Sequence, residues 1–218
     1  MNPVTDTAVH AHTGAWVAQV LRRRISAGDL RPGAKLAEQA LSEELEVSRN
    51  TLREAFAALA AESIVQRVPN RGVFVASPDA DAIRDVYQVR RMLEPAALLW
   101  GELTEERQDE LRGIRAAITG ALESGDADAM AGANQRLHDA IVAMSGSPTL
   151  STVMDRTLAR MRLVFHGMAN PSGFHAPYAE RNLRLVDLVL AGRREEAAQA
   201  LRGYLDAAER ELLEHLGH

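Results

Sequence analysis

Two arginines spaced one helical turn apart are the residues of this chain best suited to contact DNA. Arg49 and Arg53 lie at the start of a predicted helix, and residues four apart share one helical face. Arginine can bind guanine through two parallel hydrogen bonds, worth roughly 1–3 kcal/mol of discrimination per pair. The spacing therefore predicts basic groups where a recognition helix would enter the major groove.

Further polar groups surround this helix start. Ser48 has the side chain of an N-cap, which leaves the first-turn N–H groups close to a phosphate. Asn50 could read adenine or contact phosphate, and Thr51 is expected to be exposed beside it. Arg71, next to Gly72 in a predicted turn, could reach the minor groove or the backbone. The predicted DNA-contacting set is Ser48, Arg49, Asn50, Thr51, Arg53, Arg71 and Gly72.

The elements that would position these residues follow one another along the chain. A short helix from about Ala37 to Leu45 precedes a tight turn and a second helix from about Arg49 to Glu62. Two apolar strands, Ile64–Val68 and Val73–Ala76, then flank a turn. Two helices joined by a short turn and followed by a β-hairpin predict a winged helix-turn-helix.

A solvated helix face is the alternative interpretation of any one of these arginines. We favour DNA binding because the cap, the turn spacing, the paired arginines and the arginine of the hairpin turn occur together. The run Arg22-Arg23-Arg24 is weaker evidence, since three consecutive residues fan around a helix predicted over Ala15–Ser26. For that run we favour solvation.

Composition limits the class of protein further. The 218 residues are 46% hydrophobic, enough for a packed core, and the absence of cysteine excludes disulfides and a thiol nucleophile. The net charge is -5, but residues 1–77 hold nine Lys/Arg against eight Asp/Glu, and the remaining chain holds sixteen against twenty-two. No apolar run approaches the roughly 20 residues that span a bilayer, and the N-terminus does not resemble a signal peptide. We expect a cytoplasmic protein without membrane contact.

Residues 78–218 are predicted to contain helices only. Turn signals separate five or six amphipathic helices, and short loops between such helices predict an antiparallel bundle. Pro95 is expected to kink or split the first of them, and Asn170–Pro177 is predicted to be a loop. The expected fold is mostly α, with a winged helix-turn-helix domain over residues 1–77 and an all-α domain for effector binding and dimerisation over residues 78–218.

Five motifs, I-x-x-G-x-L-x-P-G, L-x-E-x-x-L-S, V-S-R-x-T-L-R-E-A, L-x-x-E and R-G-x-x-V, occur in order between residues 25 and 75. Together they resemble the DNA-binding domain of GntR-type bacterial transcription regulators. VYQVRRMLEPAAL and the helical region around it resemble the FadR-type branch, which carries a helical (FCD-type) effector domain. The resemblance implies a homodimer that binds a near-palindromic DNA operator and responds to a metabolite. It places Arg49, Arg53 and Arg71 at DNA-contacting positions, while Gln39 stands where some relatives have an arginine.

Many FadR-type effector domains hold a metal ion through an Asp, a His four residues on and two further His. The matching positions in this chain are Asn134, His138, Asn182 and Tyr204. Because one imidazole holds a divalent ion poorly, we predict neither a metal nor another cofactor. The same four side chains are predicted to line a polar cavity that hydrogen-bonds an organic effector, with Arg90 pairing to its carboxylate.

Plainer interpretations exist for these polar residues. His138 could be a partly buried, hydrogen-bonded histidine, and Arg90 could form an internal salt bridge with a nearby Asp or Glu. His166 and His175 are interpreted as surface residues, although a metal site shifted to use them with His138 is conceivable.

The leading hypothesis is a DNA-binding repressor whose affinity for its operator changes when an organic acid or another polar metabolite binds. The alternative is a constitutive DNA-binding dimer with a vestigial pocket. An enzyme using His138 as a base is disfavoured, because no nucleophile–base–carboxylate set is recognisable and no catalytic residue is predicted. The effector, the operator and the sign of regulation cannot be read from the sequence.

Overall fold

The computed structural model describes residues 13–26, 28–166 and 171–216. These residues form nine α-helices and three short strands, which confirms the predicted mostly-α fold. In chain order they are α1 Gly14–Ser26, β1 Lys35–Leu36, α2 Glu38–Glu44, α3 Arg49–Ala61, β2 Val65–Val68, β3 Gly72–Val75, α4 Ala80–Trp100, α5 Glu105–Ser124, α6 Ala127–Ala143, α7 Pro148–His166, α8 Pro171–Leu190 and α9 Arg194–His215. The chain divides into two compact units, Met1–Pro78 with Arg162–Gly167, and Asp79–Met161 with Met168–His218.

In the first unit α1 packs against α3, and α2 packs beside α3. The face of α3 opposite the polar residues is buried, as its apolar spacing predicts: Leu52, Ala55, Phe56 and Leu59. The turn between α2 and α3 is closed by Ser42, whose Oγ donates to the Val47 carbonyl at 2.8 Å. These contacts fix α3 on the small core and leave its first turn uncovered.

The wing is a three-stranded antiparallel sheet in the order β1-β3-β2. The predicted hairpin is present, with Val65 opposite Val75 and Val68 opposite Gly72. In its turn Asn70 and Gly72 adopt positive φ angles of 61° and 112°, which these two residue types tolerate best. Strand β1, with Lys35 opposite Phe74, was not predicted, because two residues are too few to show an alternating pattern.

The second unit is a bundle of six helices, α4 to α9, within the predicted number of five or six. Helix α4 packs against α9 and α6, and α8 packs against α5, α6 and α9. Three of these helices begin at side-chain caps: Asp79 accepts from Ala82 N, Thr104 from Arg107 N and Asp126 from Ala129 N.

Two predictions based on prolines in this unit need correction. Of the predicted kink or split at Pro95, the split is absent, because α4 is a single element with Pro95 buried inside it. The predicted loop Asn170–Pro177 is wrong, because α8 begins at Pro171 and covers most of it. There Phe174 stacks on Tyr178 one turn later, with ring centroids 4.8 Å apart, and both side chains are buried, which favours the helix over the local turn signals.

None of the helices that the structure describes combines the length and apolarity needed to cross a bilayer.

Candidate DNA interface and buried polar cluster

The first turn of α3 presents exposed polar side chains. Ser48 caps it, since its Oγ accepts from Thr51 N at 3.1 Å and lies 2.8 Å from the Thr51 hydroxyl. Arg49 and Asn50 are exposed, whereas Thr51 is half-buried under the cap. Helix N-termini attract phosphate oxygens through their N–H groups and their dipole. The geometry therefore presents an anion-attracting helix start next to an uncovered guanidinium.

Arg53 is exposed but is not free. Its Nε lies 2.8 Å from Glu38 Oε1 of α2, and 62% of the Arg53 side chain remains accessible. An ion pair this exposed contributes about 0–1 kcal/mol, so a guanine or a phosphate can compete for the guanidinium. Glu38 thus holds Arg53 in position at small cost to DNA contact. No local pattern indicates this pair, because its members lie on different helices.

The wing adds two basic residues that the sequence reasoning missed. Arg67 of β2 donates from Nη2 to the Arg53 carbonyl oxygen at 3.1 Å, which places its exposed side chain against α3. Lys35 of β1 lies beside the hairpin turn: a Cβ atom added to Gly72 would lie 3.4 Å from the Lys35 Cε. Arg71 is exposed at that turn, its guanidinium carbon 5.7 Å from the centre of the Phe74 ring. Lys35 and Arg67 lie on the two outer strands of the sheet, with β3 between them.

Two of the three consecutive arginines on α1 form ion pairs within the first unit. Arg22 binds both Glu62 carboxylate oxygens, at 2.9 and 2.7 Å, and Arg24 pairs with Glu44 at 2.8 Å. Arg23 is exposed.

Six buried side chains from four helices form the second candidate site, which we call the polar cluster. Its members are Arg90 and Glu94 of α4, Asn134 and His138 of α6, Asn182 of α8 and Tyr204 of α9. All six are less than 8% exposed. The bundle therefore brings together the five residues predicted for effector binding and adds Glu94, which was not predicted.

Hydrogen bonds connect the polar cluster from one end to the other. Glu94 accepts from Arg90 Nε and from His138 Nδ1, each at 2.6 Å. Asn134 Oδ1 accepts from the Tyr204 hydroxyl at 2.7 Å and from Asn182 Nδ2 at 2.8 Å. His138 Nε2 lies 3.2 Å from Asn134 Oδ1 and 3.3 Å from the Tyr204 hydroxyl. The plainer interpretations of Arg90 and His138 thus describe the structure well: each is bonded internally.

The charges of the polar cluster are set by burial and by the Arg90–Glu94 pair. Burial alone would raise the pKa of Glu94, but the adjacent Arg90 and His138 hold that pKa below its ordinary value. Burial lowers the pKa of His138, and the opposing effect of Glu94 does not cancel it. Burial also raises the pKa of Tyr204, so its hydroxyl keeps its proton. At neutral pH the cluster holds one cation, one anion and neutral donors and acceptors.

Two atoms of the polar cluster have no hydrogen-bond partner among the described residues. They are Arg90 Nη2, a charged donor, and Asn182 Oδ1, an acceptor. Buried polar atoms are almost always paired, and an unpaired one costs about 1–3 kcal/mol. These two atoms are therefore where a polar ligand group would find a partner.

The donor set of the polar cluster does not fit a divalent metal ion. It offers one imidazole and one carboxylate, and these two groups are already bonded to each other. In the described parts of the chain no group of three or more His, Cys, Asp or Glu residues could hold a metal. The surface interpretation of two other histidines is wrong: His175 is 4% exposed, and His166 is half-buried with Nε2 donating to the Ser26 carbonyl at 2.9 Å.

A winged helix-turn-helix joined to a six-helix bundle defines the class of two-domain DNA-binding regulators, and comparisons with known proteins identify the family. Residues 13–75 match the bacterial regulatory proteins of the gntR family, and residues 85–207 match the FCD domain. The chain belongs to the GntR family, in the branch that carries an FCD domain. It is a DNA-binding transcriptional regulator, and the relatives are named as regulators rather than enzymes.

Individual relatives agree with this assignment. The crystal structure of a protein from Rhodococcus sp. RHA1 described as a GntR transcriptional regulator is 34% identical, with a TM-score of 0.84 over 92% of this chain and 97% of that one. An HTH-type transcriptional regulator of Streptomyces ambofaciens is 28% identical over 86% of this chain and 79% of its own length. The gluconate operon transcriptional repressor of Bacillus subtilis is 39% identical over a shorter stretch, 38% of this chain and 34% of the repressor.

Proposed function

We propose that this chain is a homodimeric repressor that releases its operator when a small organic acid binds in the polar cluster. The observation that carries the effector half of the proposal is the pair of unmatched buried atoms, Arg90 Nη2 and Asn182 Oδ1. A charged donor and a neutral acceptor suit a carboxylate and a hydroxyl or N–H on one molecule.

The DNA contacts proposed are those of the first turn of α3 and of the wing. Arg49 and Arg53 would read bases in the major groove, with Arg71 at the minor groove or the backbone. Lys35, beside the hairpin turn, and Arg67, against α3, are added as proposed phosphate contacts because both are exposed basic side chains next to the predicted contact residues. Phosphate contacts orient a protein on DNA without specifying sequence.

A two-fold operator requires two copies of the helix-turn-helix. In the proposed homodimer the FCD bundles associate and set the two recognition helices about one DNA turn, roughly 34–36 Å, apart. The boundary between the DNA-binding domain and the bundle is proposed to lie near residue 78 of the chain, as the sequence predicts. The assignment as a repressor is supported by the name of the gluconate operon transcriptional repressor, to which part of the chain is similar.

The mechanism must be a difference in effector affinity between two states of the protein. In the present arrangement Arg90 is held by Glu94, so an incoming carboxylate would have to share or displace that bond. Displacement frees Glu94 and disturbs its bond to His138, which links α4 to α6. A ligand would thereby change how α4, the first helix of the bundle, is held.

A constitutive dimer without an effector is the second candidate. It is favoured by the complete charge balance of the cluster, because Glu94 already neutralises Arg90 without any ligand. The two candidates differ in whether any small molecule stabilises the folded protein.

A thermal-shift screen of organic acids against the full chain separates them. Under the proposal at least one compound raises the midpoint of unfolding and weakens operator binding in the same concentration range. Asn182→Ala should abolish that shift, whereas Gln199→Ala, which removes an exposed amide of α9 outside the cluster, should retain it. If no compound stabilises the protein, the constitutive candidate is preferred; if Asn182→Ala responds like the parent, the effector does not bind at the polar cluster.

A further inference from the structure

A groove of about 460 Å³ lies between α8 and α9. Its rim carries the exposed Arg181 and Arg184 of α8, and its other lining residues include Leu185, Leu201 and Tyr204. Gly203 of α9 also lines it, and a Cβ at that position would meet no atom within 4 Å. The volume falls within the range of small-molecule sites, about 300–1,000 Å³.

The two arginines of the rim are available to an anion. Both are exposed, and neither has an ion-pair partner among the described residues. The guanidinium carbon of Arg181 lies 5.0 Å from the centre of the Tyr178 ring, which orients that side chain without neutralising it. Two acidic groups of the same helices have other direct ion-pair partners: Asp187 pairs with Arg115, and Glu196, which also interacts electrostatically with Arg184, pairs with Arg193. Two exposed arginines three residues apart therefore line the groove, where an anion can contact both.

We propose that this groove is a second ligand site, which takes a small aromatic carboxylate. The carboxylate would bind Arg181 and Arg184, and the flat apolar body would pack on Leu185, Leu201 and the Tyr204 ring. An aromatic carboxylate fits better than an inorganic anion, because the lining beyond the two arginines is apolar or small. The proposal goes beyond the effector assigned to the polar cluster and does not depend on it, since the groove is open without displacing any buried hydrogen bond.

Tyr204 gives the groove a direct connection to the polar cluster. Tyr204 lines the groove, while its hydroxyl donates to Asn134 Oδ1 at 2.7 Å inside the bundle. A ligand packed against Tyr204 would restrict the position of that hydroxyl. A ligand in the groove would therefore change the position or mobility of the residues proposed to bind the effector.

Binding of 2-naphthoate to the full chain, followed by isothermal titration calorimetry and by NMR of ¹⁵N-labelled protein, tests the proposal. 2-Naphthamide, which has the same ring system without the charge, is the matched ligand. Saturable binding of 2-naphthoate is expected, with the amide at least fivefold weaker. Arg181→Ala and Arg184→Ala should each weaken binding by roughly three- to fivefold, since exposed ion pairs contribute modestly.

Gly203→Leu is the decisive variant. A Cβ at this position meets no atom within 4 Å, so the leucine side chain would occupy the groove without entering the core. It should weaken 2-naphthoate binding more than tenfold, and Ala200→Leu, on the same wall, serves if Gly203→Leu does not fold. Arg202→Ala, an exposed neighbour outside the lining, should bind like the parent. The proposal is overturned if 2-naphthoate shows no saturable binding, or if neither leucine variant weakens it. DNA plays no part in this readout, so failure here is distinct from failure of the proposed effector site.

Discussion

Replacing Glu94 by glutamine tests whether the polar cluster is organised around one buried ion pair. Glu94→Gln keeps the size of the side chain and removes the charge that binds both Arg90 and His138. Arg90 and Glu94 are 1% and 0% exposed, so water cannot replace the lost carboxylate. The variant would leave a buried guanidinium without a counter-ion.

The expected cost follows from that uncompensated charge. Removing one partner of a buried ion pair destabilises proteins by about 3–5 kcal/mol, and the amide oxygen retained by glutamine places this variant near 3 kcal/mol. For a chain of this size each kcal/mol shifts the melting temperature by about 2–4 °C, so a drop of about 6–12 °C is expected. Arg90→Met in the same background removes the orphaned cation and should recover most of the loss, because apolar replacement of a buried pair is often neutral.

Differential scanning calorimetry of the full chain measures both effects. Glu196→Gln is the control, since its pair with Arg193 lies at the surface and its loss should leave the transition unchanged. A loss below about 1 kcal/mol for Glu94→Gln, or no recovery in the double variant with Arg90→Met, would refute the reasoning that the charge pair organises the cluster.

Three further predictions concern pH and capping. Burial lowers the pKa of His138, so as the pH falls the unfolded chain binds a proton at this residue before the folded chain does. The free energy of unfolding should therefore decrease as the pH drops below 6.5. Denaturant titrations at several pH values should show a weaker pH dependence for His138→Gln. Burial and the adjacent Asp155 raise the pKa of Asp139 to about 6, so above that pH the ionised carboxylate destabilises the folded protein. Allowing for solvent screening, Asp139→Asn should increase the free energy of unfolding by about 1 kcal/mol at pH 8 and leave it unchanged at pH 3.5. Ser48→Ala should lower the free energy of unfolding by about 1 kcal/mol and weaken operator binding. Ser48→Asp should keep the cap but bind DNA poorly, because its negative charge would face a phosphate. Unfolding and anisotropy assays measure both variants.

Local signals were sufficient to predict the helix-turn-helix. Ser48 caps α3, Asn70 and Gly72 take the positive φ angles of the hairpin turn, and apolar residues at helical spacing form the buried face of α3. Each of these depends on neighbours within a few residues. The start of α8 shows the opposite case: the stretch around Phe174 contains residues typical of loops, yet it is helical, and Phe174 is buried with its ring 6.5 Å from that of His215 in α9.

The candidate sites were predicted less completely, because their pairings cross long stretches of chain. The Arg53–Glu38 pair joins two helices, and the Glu94–His138 bond spans 44 positions. Glu94 did have a local signal, since it lies four residues after Arg90 on one helix face. Lys35 was missed because it lies on a two-residue strand that no alternating pattern indicates. Arg67 lies within the predicted hairpin, but its contact with the Arg53 carbonyl joins two elements and has no local signal.

The central claim, that α3 reads DNA through Arg49 and Arg53, is tested most directly by operator affinity. The operator would be selected from random double-stranded DNA with the full chain, and fluorescence anisotropy would then compare Arg49→Ala and Arg53→Ala with Arg23→Ala, an exposed arginine of α1. Each of the first two should weaken specific binding by about 1–3 kcal/mol and relax sequence preference at one position of each half-site. Arg23→Ala should bind like the parent. Unchanged affinity and unchanged sequence preference in both α3 variants would contradict the account.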